Sequence, residues 1–336
     1  MIRVAINGFG RIGRLVFRIM EETSDFEVVA INNLSGAEQS AYLLKYDTCH
    51  RAYKPNSITY DEDSITVSGR KIKIFSEKDP ANLPWGELQI DEVFECTGQF
   101  TDKESAMAHI SAGAKKVIIS APAKGDLKTI VYGVNENILD GSEQVISAAS
   151  CTTNCLAPVV NVLNNEFGIV KGYMTTVHAY TNDQVVLDGS HKKGAKSRRG
   201  RAAAANIIPA STGAASAIGK VIPALEGKLE GSALRVPVIT GSVIDLTLEL
   251  GKKTTAEEIN NSFKKNINAT LAYTDDPIVS SDIIGSYCGG LVDGLLTEVL
   301  EVDGKQLVKV IAWYDNEMGY SAQMVRTAKY LYNVSK

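Results

Sequence analysis

Cys151 is the residue in this chain around which chemistry can be built. It stands in Ser147-Ala148-Ala149-Ser150-Cys151-Thr152-Thr153-Asn154-Cys155, after a strand-like run from Glu143 to Ser147. Leu156, Val159, Val160 and Leu163 then recur at helical spacing. Cys151 therefore falls in the first turn of a helix. There the N–H groups without intrahelical partners and the positive dipole end favour a thiolate, the nucleophilic form. The plainer alternative is a small buried cysteine among polar capping residues. His178, near the end of an alternating run from Tyr173 to Tyr180, can serve such a thiol as a base in covalent catalysis. Strand-end histidines are also often just satisfied polar groups.

A second constellation lies at the amino terminus. An apolar strand pattern, Ile2 to Ile6, runs into Asn7-Gly8-Phe9-Gly10-Arg11-Ile12-Gly13-Arg14, and Ile12, Leu15, Val16 and Ile19 then mark a helix face. Gly8, Gly10 and Gly13 form G-x-G-x-x-G between strand and helix. The first glycine allows a tight turn, the second lets backbone approach a pyrophosphate, and the third allows close packing. The helix N-terminus then holds the anion. A second strand, Glu27 to Ile31, ends at Asn32-Asn33. An acidic residue about 20 residues past the motif usually binds the ribose of NAD. Asn33 is an amide, so either NAD, through a direct hydrogen bond to the ribose, or NADP, through loss of repulsion against a 2′-phosphate, fits the sequence.

Those constellations need elements to position them. A chain of 336 residues is long enough for two domains. Its 44% hydrophobic and 22% charged content is that of a soluble globular protein. Its net charge of -4 gives no overall basic character for nucleic acid. Five scattered cysteines form neither a disulfide framework nor a zinc pattern. No signal peptide or run of transmembrane length stands out, and the expected compartment is a reducing cytoplasm.

Strands and helices alternate through the first half. Ser57 to Tyr60, Ile65 to Val67 and Lys71 to Phe75 read as a small antiparallel insertion, and Glu92 to Cys96 and Lys116 to Ile119 as further strands. Thr101, with Glu104 three residues on, is the expected cap of the intervening helix. The pattern predicts a Rossmann-type doubly wound parallel sheet, with ligands at the carboxyl ends of its strands. Gly8 to Gly13, Asn33, Thr97, Gly98 and Ser120 lie at such ends. His50 and His109 read as structural or solvated.

After Cys151 the pattern changes. Val243 to Leu250 alternates as a half-buried antiparallel strand does, and Leu295 to Val302 with Leu307 to Trp313 reads as a hairpin about Asp303-Gly304. A capping box is expected at Thr254 and Glu257, followed by a stripe of Ile259, Phe263 and Ile267. This half predicts an α+β domain with a largely antiparallel sheet. Between Asp183 and Asn206 runs a long basic segment without periodicity, a length that is usually functional in an ordered loop. It lacks the aromatic interleaving of a nucleic-acid surface, and His191 within it is expected to be solvated.

The motifs together identify a family. The glycine motif, Ser150 to Cys155, His178-Ala179-Tyr180-Thr181-Asn182-Asp183-Gln184, Asn206 to Ala215, Leu234-Arg235-Val236-Pro237 and Trp313 to Ser321 stand in order. The chain resembles, over essentially its whole length, the phosphorylating glyceraldehyde-3-phosphate dehydrogenases. The resemblance implies an NAD(P)-binding domain over 1–150, completed by the C-terminal helix 317–336, and a catalytic domain over 151–316 that includes an S-shaped loop, 183–206. It implies Cys151 as nucleophile and His178 as base. Thr181 and Arg235 would hold the C3 phosphate of glyceraldehyde 3-phosphate. Ser150, Thr152, Thr212, Gly213 and Arg201 would hold the attacking inorganic phosphate. Arg11 and Ile12 would present amides to the cofactor, Asn316 would bind the nicotinamide carboxamide, and Tyr320 would lie beside the ring. A homotetramer is implied, with the S-shaped loop reaching a neighbouring subunit's cofactor; no nucleic acid, membrane or metal is.

The chain departs from the family's NAD-specific pattern at Asn33, where an aspartate is usual, and at Ser190, where a proline is. Both leave NAD or NADP open. Lys78 stands where many members carry an arginine near the adenine. The basic loop is about two residues longer than usual, which loosens the register of Arg198 and Arg199. The alternatives are an erythrose-4-phosphate dehydrogenase, ending in hydrolysis, or a non-catalytic dinucleotide-binding scaffold. Cys155, one helical turn after Cys151, reads as packing.

Overall fold

The computed structural model describes residues 1–336 and divides into two compact units, Met1–Ser150 with Ser321–Lys336, and Cys151–Tyr320. The first unit contains β1 (Ile2–Asn7), α1 (Arg11–Met20), β2 (Phe26–Asn32), α2 (Gly36–Lys45), β3 (Ile58–Tyr60), β4 (Ser64–Val67), β5 (Arg70–Phe75), β6 (Glu92–Glu95), α3 (Lys103–Ser111), β7 (Lys116–Ile119) and β8 (Val145–Ser147). The remaining elements are α4 (Cys151–Phe167), β9 (Ile169–Ala179), β10 (Ile208–Ser211), β11 (Leu229–Val236), β12 (Ser242–Leu250), α5 (Ala256–Lys265), β13 (Leu271–Thr274), β14 (Gly290–Val302), β15 (Lys305–Tyr314) and α6 (Met318–Val334).

The first sheet has eight strands in the order β3-β4-β5-β2-β1-β6-β7-β8. All pairs from β5 to β8 are parallel, while β3, β4 and β5 form the antiparallel insertion. This is the doubly wound sheet the alternating pattern predicts. Its register pairs Asn7 with both Asn32 and Glu95, so three polar side chains form a row at the strands' carboxyl ends. Below them Ala5, Ala30, Trp85, Val93, Ala106 and Val117 close a hydrophobic core.

Helix α1 buries more than the stripe Leu15, Val16 and Ile19. Arg14 and Arg18 are also buried, donating to Phe9 O (3.0 Å) and Leu44 O (2.9 Å). Their guanidinia reach backbone carbonyls that a pattern of apolar residues does not reveal. The cap of α3 differs from expectation. Asp102, one residue later than Thr101, is the N-cap, and its side chain accepts from Ser105 N at 2.8 Å. A carboxylate serves this helix end better than a hydroxyl, because it also meets the positive dipole end.

The second sheet has seven strands in the order β10-β11-β9-β12-β15-β14-β13. Two neighbouring pairs, β11 with β9 and β13 with β14, are parallel, and the rest are antiparallel. The inward face of β12, Ile244, Leu246 and Leu248, is fully buried. The capping box of α5 sits one residue later than expected. Thr255 caps through Glu258 N (3.2 Å), and the Glu258 carboxylate accepts from Thr255 N (2.9 Å). The helix ends at Lys265, so Ile267 lies beyond it and is exposed, while Ile259 and Phe263 are buried.

Candidate active site

Cys151 opens α4 after a turn that only a constrained backbone can make. Ala149 has a φ of +57°, rare for a residue with a Cβ, and its N–H donates to Ser147 Oγ at 3.1 Å. Conformations of this kind cost on the order of 1–3 kcal/mol and cluster at functional sites. The turn sets Cys151 at the helix N-terminus, with no acidic residue in the first turn to compete for the dipole.

His178 meets it from β9. Cys151 Sγ lies 3.4 Å from His178 Nε2. Parallel register pairs Arg235 on β11 with His178, and Arg235 Nη1 lies 2.8 Å from His178 Nδ1 and 2.9 Å from Ala179 O. His178 Nδ1 is also 2.7 Å from Ala179 O. With the Nδ1–H donating to Ala179 O, Nε2 faces sulfur as the acceptor, and Arg235 Nη1 donates to the same carbonyl. Burial, reinforced by the Arg235 and Arg199 charges, holds the His178 pKa down at about 3, so the ring is neutral at pH 7 and a weaker base than a solvated imidazole. Burial pushes the Cys151 thiol up, against the Arg235 charge and hydrogen bonds from Thr152. The resting balance is therefore set by desolvation, which opposes the ion pair expected from the helix dipole alone.

The neighbouring hydroxyls are ordered. Thr152 Oγ1 is 2.9 Å from Tyr314 Oη, which is 2.8 Å from Thr176 Oγ1. Burial raises the Tyr314 phenol well above its ordinary range, so it acts here as a neutral hydrogen-bonding group. Ser150 immediately precedes the helix. Thr181 lies on the turn after β9, its carbonyl accepting from Gln184 N, and Thr212 and Gly213 lie after β10, with Thr212 Oγ1 accepting from Ala214 N. None of these last three hydrogen-bonds Cys151 or His178.

Arg201 is not brought to this cluster. It is exposed and its Nε donates to Asp188 at 2.7 Å. Arg199 is the buried arginine of the loop, held by Asp183 at 2.7 Å, and its charge acts on both His178 and Arg235. The family resemblance assigns Arg201 to the phosphate, whereas burial singles out Arg199 among the three loop arginines. His191, expected to be solvated, is instead an organiser of the loop. Its Nε2 lies 2.8 Å from Asp183 O, while its Nδ1 accepts from Lys193 N at 3.1 Å. Ser190 is exposed beside it. Cys155 is fully buried and its thiol is pushed far up, consistent with packing. Asn316 is 4% exposed, and its Oδ1 accepts from Ser242 Oγ at 2.9 Å, which leaves Nδ2 as its donor. Tyr320 is buried at the start of α6.

The first unit presents its own cluster. Gly8 has a φ of +91°, and a Cβ there would stand 2.7 Å from Thr97 N; one on Gly13 would stand 2.1 Å from Gly8 O. Those two glycines are demanded by the protein's own packing. A Cβ on Gly10 would meet nothing within 4 Å, so its absence leaves open space in front of the backbone. No side chain caps α1, and its first turn, starting at Arg11 and Ile12, carries no acid. These features fit a dinucleotide pyrophosphate. Arg11 is held back by an ion pair with the buried Asp47, whose pKa falls to about 2 because the Arg11 and backbone hydrogen bonds outweigh burial. Asn33 Nδ2 donates to Ser40 Oγ at 2.9 Å, and Ser40 Oγ donates to Gly36 O at 2.6 Å. Thr97 and Gly98 are exposed after β6, Ser120 follows β7 with its N–H on Glu95 O (2.9 Å), and Lys78 is exposed after β5.

Comparison with known proteins shows the family. The model of the glyceraldehyde 3-phosphate dehydrogenase NAD binding domain matches residues 2–103, and that of the C-terminal domain matches residues 150–316. The chain is 57% identical over 336 residues to a glyceraldehyde-3-phosphate dehydrogenase of Clostridium pasteurianum, covering the whole of both. It is 52% identical to one of Streptococcus pyogenes over 337 residues, again covering both chains fully.

Proposed function

The chain belongs to the glyceraldehyde-3-phosphate dehydrogenase family, and we propose on that premise that Cys151 and His178 carry out the family's phosphorylating oxidation. The observation that carries the reading is the 3.4 Å approach of Cys151 Sγ to a buried, neutral His178. His178 Nε2 takes the thiol proton as sulfur adds to the aldehyde carbon, and the proton passes to the new oxygen to give a thiohemiacetal. Bound NAD supplies the hydride acceptor. His178 removes the hydroxyl proton again as the carbonyl reforms, which leaves a thioester on Cys151. Inorganic phosphate attacks that thioester, and Cys151 leaves as the thiolate to be reprotonated from His178.

Two anions must be held. Arg235, with Thr181, is assigned the substrate's own phosphate. Ser150, Thr152, Thr212 and Gly213 are assigned the attacking phosphate, with Arg199 rather than Arg201 supplying charge. A guanidinium suits both because it binds phosphate through two parallel hydrogen bonds. NADH formation from glyceraldehyde 3-phosphate should require added phosphate or arsenate. A rate indifferent to both would favour the hydrolytic alternative, and no NADH at all would favour a binding protein.

For the cofactor we propose a preference for NAD. Ser40 spends its only proton on Gly36 O, so it can only accept from Asn33. Asn33 is thereby fixed with Nδ2 on Ser40 and Oδ1 as its acceptor, which imitates a carboxylate toward a ribose hydroxyl. The expected kcat/KM favours NAD by about tenfold or more. Ser40→Ala releases the amide to turn and should narrow that ratio severalfold; an unchanged ratio would remove Ser40 from the explanation.

We read the assembly as a homotetramer in the cytoplasm. Exposed apolar side chains on the second sheet, Tyr173 at 71% and Leu300 at 59%, and Val186 and Leu187 on the basic loop, support association. No helix is long and apolar enough to cross a membrane.

A further inference from the structure

The catalytic scheme leaves unused a chain of buried polar side chains beneath the carboxyl ends of β2, β1 and β6. Trp85, His109, Glu95, Asn7 and Asn32 are each no more than 5% exposed. Trp85 Nε1 lies 3.0 Å from His109 Nδ1 and can only donate. His109 Nδ1 must therefore accept, and Nε2 carries the proton and donates to Glu95 Oε2 at 3.1 Å. Asn7 Nδ2 donates to the same oxygen at 2.5 Å, which explains why it sits 3.3 Å from His109 Nε2 without a bond between two donors. The other Glu95 oxygen accepts from both the N–H (2.8 Å) and the hydroxyl of Thr97. Asn7 Oδ1 accepts from Asn32 Nδ2 at 2.7 Å, and Asn32 Oδ1 accepts from Glu77 N at 2.8 Å.

Every donor and acceptor in this chain has one compatible assignment, so its members cannot turn independently. Its ends are the backbone of Thr97 and that of Glu77, next to Lys78, and Asn32 adjoins Asn33. Thr97 N also abuts Gly8, where a Cβ would stand 2.7 Å away. Those are the loops assigned to the dinucleotide. We infer that His109 and Glu95 are positioning residues for the cofactor: the Trp85-locked imidazole fixes Glu95, and Glu95 fixes Thr97 and Asn7 against the glycine turn. The inference rests on NAD binding at these strand ends.

The test is calorimetric titration of NAD into the purified ligand-free protein, paired with steady-state kinetics. Glu95→Gln conserves volume but turns amide hydrogens either toward the Thr97 N–H or toward Asn7 Nδ2 and His109 Nε2–H, all of them donors. It should raise the NAD Kd by about 10- to 100-fold. His109→Leu should raise it by about tenfold. His109→Gln, whose carbonyl can accept from Trp85 while its amide donates to Glu95, should return it to within about threefold. The loss should fall on KM for NAD, with kcat at saturating NAD changed by less than about twofold. A wild-type Kd in Glu95→Gln, a His109→Gln no better than His109→Leu, or a loss borne by kcat would overturn the inference. Gly10→Val separates the two layers of the argument. If it too binds NAD normally, the strand ends are not the cofactor site; if it alone loses NAD, the site stands and the buried chain is only structural.

Discussion

Cys151→Ser should lower kcat for glyceraldehyde 3-phosphate oxidation by about 10⁴-fold or more. Serine keeps the shape of the turn and the hydrogen bond to His178, but its hydroxyl is far less acidic than a thiol. The same burial that pushes the Cys151 thiol up would disfavour an alkoxide more. Neutral His178, with its pKa near 3, can accept a proton but cannot make up that difference alone. NAD binding, measured by calorimetry, should persist, because the cluster around Gly8 and Gly13 does not depend on Cys151. A serine variant retaining more than about one part in a hundred of the activity would remove Cys151 as the acyl carrier.

Arg235→Ala should lower kcat/KM by about 10²- to 10³-fold and change the pH dependence as well. The guanidinium stabilises a thiolate on Cys151 and disfavours an imidazolium on His178. Removing it therefore raises both pKa values. At any pH below the thiol pKa the thiolate fraction falls, so the profile of Cys151 alkylation by iodoacetamide against pH should move to higher pH in the ligand-free protein. Arg235→Lys keeps the charge but not the two-pronged grip. It should leave the alkylation profile near its original position while still losing much of kcat/KM. An alkylation profile that stays put, or moves to lower pH, in Arg235→Ala would show that Arg235 does not tune the nucleophile.

Much of this was legible because local rules were strong. The glycine spacing after an apolar strand, the alternation in β12 and the run after Cys151 each have one easy structural solution. Where several solutions were nearly equal, the sequence placed features one residue off. Thr101 and Asp102 could both cap α3, and Thr254 and Thr255 could both open α5. In each case the residue whose side chain reached the N3 amide won. His191 was expected to be solvated and Arg201 rather than Arg199 to reach the phosphate, because burial of a loop depends on what folds over it.

The sequence by itself determined the two folding units' patterns and the glycine turn, since each is written in adjacent residues or a fixed period, while the roles proposed for Cys151 and His178 came with the family resemblance. Only the tertiary structure decided that Arg199 and not Arg201 is buried with its charge acting on His178, that Arg235 lies against the imidazole, and that His109 and Glu95 join one buried hydrogen-bonded chain with Asn7 and Thr97. Those relations join residues 57 positions apart in one case and 88 in another. They are set by strand register and by desolvation, which no local pattern encodes.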